Sequence, residues 1–71
     1  MTTPAEPDID EIVVERLVAG FAVPSNVDER IEAVRCLAAR GCSTREIAER
    51  LRIDMRSVGR LRARIRQGAM A

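Results

Sequence analysis

Apolar residues recur at helical spacing in several segments of this chain, and turn-forming or polar residues separate these segments. The spacing predicts four helices, over residues 8–19, 27–40, 44–51 and 55–67. Neither end of the chain has such an apolar pattern, so we expect a disordered tail over 1–7 and a frayed end over 68–71. The pattern indicates an all-α chain with a single helical domain over 8–67.

Capping residues support these boundaries. Ser43 is followed three positions later by Glu46, the spacing of a capping box, in which each side chain satisfies a free amide at the helix start. Asn26 and Asp54 stand where they can cap the second and fourth helices, and Gly41 follows the second helix as a typical C-terminal stop. We therefore expect three short helices joined by tight connections after residue 26.

The third and fourth helices carry apolar stripes that meet across a short turn. The third contributes Ile47, Ala48 and Leu51, and the fourth contributes Val58, Leu61 and Ile65. This layout is that of a helix-turn-helix, whose second helix normally enters the DNA major groove. The expected fold is all-α, with a trihelical, homeodomain-like helix-turn-helix core and one additional N-terminal helix.

Residues 46–60, EIAERLRIDMRSVGR, resemble the bacterial pattern E-I-A-x-x-L-x-[IV]-x-x-x-[ST]-V-x-[RK]. That pattern occurs in response-regulator output domains, sigma-factor promoter-reading domains and transposase DNA-binding domains. Segment 28–66 also resembles small helix-turn-helix proteins of actinobacteria and their phages, which implies a DNA-binding role. Arg52 departs from the pattern because glycine usually holds this turn position. We expect either a left-handed backbone at Arg52 or a turn of another shape.

The charge distribution indicates a nucleic-acid partner more strongly than the net charge of +1 does. Residues 1–32 hold eight acids and two arginines, for −6, whereas residues 33–71 hold three acids and ten arginines, for +7. Such a chain can present a basic face to phosphate while its acidic half points away. All twelve basic residues are arginine, which with abundant alanine suggests a GC-rich genome, as in actinobacteria or their phages.

The fourth helix holds five arginines within eleven residues and no acid among them. Its outer face is predicted to carry Arg56, Arg60, Ala63 and Gln67. By their positions in the motif, Arg56, Ser57 and Arg60 are the candidates for base-edge contacts, because arginine binds guanine through two hydrogen bonds; Ser57 is equally suited to a phosphate. The phosphate candidates are Thr44, Arg45, Arg52 and Arg64.

The first helix has a wider apolar stripe than packing against one small domain requires. Either most of this stripe covers the helix-turn-helix core, or part of it is a homodimer surface. Asp8 or Asp10 can cap this helix, and in the following loop we expect Phe21 and Val23 to fold onto the core, with Phe21 as a partner contact the alternative. The dimer candidates are Ile9, Ile12, Val13 and Leu17.

Other classes of function find little support in the sequence. Without histidine, tyrosine or lysine the acid–base residues are few, and no phosphate loop or nucleophile motif is present, so we expect no enzyme activity. Cys36 and Cys42 supply only two of the four ligands that zinc needs, so we expect reduced cysteines, no metal and no cofactor. No apolar run reaches the ~18 residues of a membrane span, and we expect a cytoplasmic protein without a small-molecule effector.

Two functions are consistent with these features. The first is sequence-specific binding of double-stranded DNA by a small transcriptional regulator, with residues 55–67 in the major groove. The second is a protein-interaction module, such as a phage factor that binds host RNA polymerase, which the acidic, apolar N-terminal half favours. The salt dependence of the affinity distinguishes these two functions, because binding through several phosphates weakens steeply as the salt concentration rises.

Overall fold

A computed structural model describes residues 9–70 of the chain, with side chains described for 9–67. Its helices are α1 (Glu11–Ala19), α2 (Val27–Ala39), α3 (Thr44–Leu51) and α4 (Met55–Met70). The all-α prediction is confirmed, and within the described residues no strand occurs. Helix α4 continues past the predicted end at residue 67, while the predicted tail over 1–7 lies outside the described residues. None of the described helices is long and apolar enough to cross a bilayer.

The predicted caps set the helix boundaries. Asp10 caps α1, because its carboxylate accepts a hydrogen bond from the backbone N–H of Ile12 at 2.9 Å. Gly20, with φ of 95°, closes the same helix in the left-handed conformation. Capping boxes begin the next two helices, formed by Asn26 with Glu29 and by Ser43 with Glu46. Local sequence therefore fixes where each helix starts.

The core lies between all four helices. Helix α2 is central to it, because Ala33, Val34 and Leu37 are each fully inaccessible to solvent. Ile47 of α3 and Val58 of α4 are equally buried, and Leu61 and Ile65 pack against this centre while partly exposed. The stripes predicted for α3 and α4 thus form the inside of the helix-turn-helix.

Most of the apolar face of helix α1 packs against this core. The side chains of Val14, Leu17 and Val18 are buried, so the predicted role of Leu17 as a dimer contact is wrong. Ile9 and Val13 also pack against the core and remain partly exposed, whereas Ile12 is 60% exposed. Of the four dimer candidates, Ile12 alone presents most of its surface to solvent.

Phe21 lies outside the core, contrary to prediction. It is 62% exposed, because its backbone N–H donates to the carbonyl of Arg16 and so keeps it in the turn that closes α1. Val23 lies two residues farther along and does pack against the core, as predicted. Val27, the first residue of α2, is 40% exposed.

The turn of the helix-turn-helix has a left-handed residue, the first of the two alternatives expected for Arg52. Arg52 has φ 58° and ψ 40°, and its backbone N–H donates to the carbonyl of Ala48. It is the only non-glycine residue with positive φ in the described part of the chain. An L-residue pays a steric cost in this conformation that glycine avoids.

Replacing Arg52 by glycine is expected to raise the free energy of unfolding by about 0.5–1 kcal/mol, after allowance for the greater chain entropy of glycine. Chemical denaturation measures this change. Arg52→Ala is the matched control, since it removes the same guanidinium and keeps the steric cost. Equal stability of the glycine and alanine variants would contradict the account of the turn.

Candidate nucleic-acid interface

One side of α4 faces the core and the opposite side faces solvent. Val58 is fully buried, whereas Arg56, Arg60, Ala63 and Gln67 are exposed, as the predicted outer face requires. Gly59 lies between these arginines and is exposed, with open space where a side chain would begin. A basic face that has no side chain at Gly59 on one flank suits close approach to a DNA groove.

Arginines also border α4 on the side that faces the start of α2. A groove there has an apolar lining from Val27, Ile53 and Leu61. Arg60 and Arg64 of α4 line it together with Arg30 of α2 and Ser57. None of these lining residues is acidic. We call this feature the α2–α4 groove.

The other side of α4 faces α3 and the middle of α2. There the Nη1 atom of Arg62 donates a hydrogen bond to the Oγ1 atom of Thr44 at 2.7 Å. Arg35 and Arg66 line a neighbouring groove together with Arg62. Helix α4 therefore has arginines on both sides as well as on its outer face, and a helix in the major groove has a phosphate backbone on each side.

The start of α3 is held in place by its capping box. Ser43 Oγ accepts from the Glu46 backbone N–H at 3.1 Å, and Glu46 Oε1 accepts from the Ser43 backbone N–H at 2.9 Å. These bonds from Ser43 lower the pKa of the exposed Glu46 carboxyl. Thr44 and the exposed Arg45 occupy the first turn that this box orients. They stand where a phosphate can meet the positive end of the helix dipole.

The start of α4 depends on Asp54. Its carboxylate accepts from the Ser57 hydroxyl at 2.6 Å and from the Ser57 backbone N–H at 3.2 Å. The hydroxyl bond is the main reason that the pKa of Asp54 is lowered. The Ser57 hydroxyl hydrogen is thus already engaged within the protein, so Ser57 can donate to DNA only if this bond is shared or broken, whereas its oxygen can still accept a hydrogen bond.

Arg52 lies beside the α2–α4 groove without lining it. It lines a separate groove beside the loop between α1 and α2, together with Arg30 and Ile53. Those two residues also line the α2–α4 groove, so Arg30 lies between Arg52 on one side and Arg60 and Arg64 on the other. The structure therefore brings Arg52, Arg60 and Arg64 to one edge of the domain, while Thr44 and Arg45 lie with Arg62.

A comparison with protein families decides what this arrangement is. Residues 24–69 match the family model of a homeodomain-like domain, and this range spans more than half of the chain. The chain belongs to the homeodomain-like helix-turn-helix family. No curated protein and no solved structure matches the sequence significantly.

Membership in the homeodomain-like family points to DNA as the partner and to a binding domain of a typically non-enzymatic kind. The matched range begins after α1, so the family core consists of α2, α3 and α4, and α1 is the additional helix that the sequence predicts. The exposed arginines of α4 therefore lie on the helix that enters the major groove in helix-turn-helix proteins.

Sequence reasoning missed two arginines of this region. Arg30 lies in an acidic stretch of the sequence and reaches the interface only because the start of α2 packs beside α4. Arg62 bonds to Thr44, and this contact depends on the crossing of α3 and α4, which no local spacing in the sequence indicates.

Proposed function

We propose that this chain is a sequence-specific binder of double-stranded DNA that acts as a small transcriptional regulator in the bacterial cytoplasm. The observation that carries the proposal is the arrangement of arginines on the outer face and on both sides of α4. Five guanidinium groups on one short helix repel each other unless anions lie nearby, and two phosphate backbones supply them. All twelve basic residues are arginine, which fits an actinobacterial or phage origin.

In this proposal α4 lies in the major groove, with Arg56, Ser57 and Arg60 at base edges. Arg56 and Arg60 extend from the exposed face, where a guanidinium can bind the O6 and N7 atoms of guanine. Thr44, Arg45, Arg52 and Arg64 contact phosphates and set the position of the domain on the duplex. These roles are supported by the exposure of these arginines and by their positions on and around α4.

One domain of this size buries only ~600–1,000 Å² on DNA, so we propose that a homodimer binds two half-sites about one helical turn apart. The exposed Ile12 on α1 is the best candidate for the dimer contact, with the partly exposed Ile9 and Val13 beside it. Helix α1 lies outside the family core and is therefore available for a role other than groove binding.

The second candidate function is a protein-interaction module. The observation that favours it is the pair of exposed apolar side chains Ile12 and Phe21 in the acidic half of the chain. Both a homodimer and a foreign protein can use such residues, so their exposure does not decide between them. An arginine-lined α4 has no role in binding through Ile12 and Phe21, which makes this function the weaker candidate.

Binding of the purified chain to GC-rich random duplex at about 50 and 200 mM salt tests the proposal, with the solution mass measured alongside. With three or four arginine–phosphate contacts in each domain, the affinity of one domain is expected to fall roughly 40- to 150-fold between these concentrations, and that of a dimer more steeply. Selection from the random pool is then expected to enrich one sequence motif. Absence of binding at low salt, or enrichment of no motif, would contradict the proposed function.

A further inference from the structure

The α2–α4 groove contains a cluster of three arginines, of which the sequence motif includes only Arg60. Arg30 comes from the first turns of α2, and Arg60 and Arg64 come from successive turns of α4. Residues four apart on a helix have Cβ atoms about 5–6 Å apart, and like charges at that spacing destabilise a helix. With Arg30 added and no acid in the lining, the groove concentrates positive charge.

The Arg30 side chain is held at the edge of this groove. Its Nε atom donates to the carbonyl of Asn26 and its Nη2 atom donates to the carbonyl of Ser25, each at 3.4 Å. These long bonds restrain the guanidinium and leave its remaining N–H groups available, since a guanidinium has five donors. Arg30 is half-buried, so a bound anion there would be only partly exposed to solvent. A restrained, partly desolvated guanidinium binds an anion more strongly than a fully solvated one.

Arg64 completes a pair with Arg30 across the groove. It is exposed, and in the described part of the chain no hydrogen bond engages its guanidinium. The apolar lining from Val27, Ile53 and Leu61 offers no competing acceptor side chain between the two arginines. The groove therefore presents donors from two different helices to one tetrahedral oxyanion, which is the chemistry of phosphate recognition.

We propose that Arg30 and Arg64 together bind one phosphodiester group of the DNA backbone, next to the base that Arg60 contacts. This inference rests on the proposed function and adds Arg30, a residue of the first core helix, to the interface. Arg52 lies on the far side of Arg30, so the three arginines form a basic strip along one strand. Such contacts position the domain without reading sequence.

The test measures the affinity of the full chain for one duplex over a range of salt concentrations. Arg30→Gln and Arg64→Gln are each expected to weaken binding several-fold, and the double variant is expected to reduce the slope of log K against log salt by about 0.9 per domain, for the one phosphate that both arginines bind. Arg16→Gln, at an exposed arginine of α1, is the matched control and should leave the slope unchanged. Thermal unfolding of each variant accompanies the titrations, since Arg30 also binds two carbonyls, whereas Arg64 has no such role.

Affinities of both single variants and a slope of the double variant equal to those of Arg16→Gln would overturn the proposal while leaving the DNA-binding function intact. Absence of DNA binding by the unmodified chain would instead overturn both. Inorganic phosphate at constant ionic strength distinguishes a free anion from the DNA backbone. If phosphate raises the melting temperature of the unmodified chain but not of the variants, and their DNA slopes are unchanged, the site binds free phosphate and the proposal is wrong.

Discussion

Replacing Arg60 by alanine is expected to lower the affinity for the selected DNA site about ten- to a hundredfold. A guanidinium bound to a guanine through two hydrogen bonds contributes about 1–3 kcal/mol of discrimination against other bases. Arg60 is exposed on the outer face of α4, opposite the fully buried Val58, so its removal leaves the core unchanged. Competition binding with every single-base variant of the site measures both the loss and the position whose specificity is relaxed.

Arg45→Ala is the matched control for this experiment. Arg45 is an exposed arginine at the start of α3, where we expect a phosphate contact. Its loss should weaken binding to all sequences alike and reduce the salt slope by about one unit. If the two variants lose affinity equally and neither relaxes a base position, the assignment of Arg60 to base reading is wrong.

Replacing Glu29 by alanine is expected to lower the free energy of unfolding by about 2–4 kcal/mol. Glu29 is 6% exposed, and its two carboxylate oxygens serve two different helix starts. Oε2 accepts from the backbone N–H of Asp10 at 2.8 Å, and Oε1 accepts from that of Asn26 at 2.9 Å. Alanine removes both charge-assisted bonds and leaves partly buried donors without this acceptor.

Glu32→Ala provides the comparison, since Glu32 lies one turn farther along α2 and is half-buried. Chemical denaturation of both variants separates the loss of the bridging bonds from the loss of one negative charge. The account of Glu29 as the link between α1 and α2 fails if the two variants are destabilised equally. Below its unfolding transition, the Glu29 variant should still bind DNA, because the Glu29 carboxylate bonds to the backbone of Asp10 and Asn26 and to no arginine of α4.

Local signals in the sequence were sufficient to predict the helices. Capping residues predict helix starts well, because the free amides of a helix start need acceptors within three residues along the chain. Asn26 and Ser43 supply these acceptors. The left-handed conformation of Arg52 was only one of two alternatives, because arginine stands where the motif usually has glycine and adopts this conformation at a steric cost. The outer face of α4 followed from helical periodicity alone.

Features that depend on contacts between helices were harder to predict. Phe21 and Val27 are apolar and near the core in sequence, but the turn after α1 and the first turn of α2 leave them exposed. Leu17 belongs to a stripe that periodicity cannot divide between core and partner surface. Arg30 and Glu29 are adjacent in an acidic segment, and only the packing of α2 beside α1 and α4 gives them their separate roles.

The most direct test of the central claim is an NMR titration of the ¹⁵N-labelled chain with its selected duplex at low salt. The account predicts that amide shifts change in the first turn of α3, along the exposed face of α4 and near Arg30. The amide shifts of α1 around Ile12 should not change, because these residues should keep the same environment within the protein. Changes confined to α1 and the Phe21 loop, or no change at any residue of α4, would contradict DNA binding through the recognition helix.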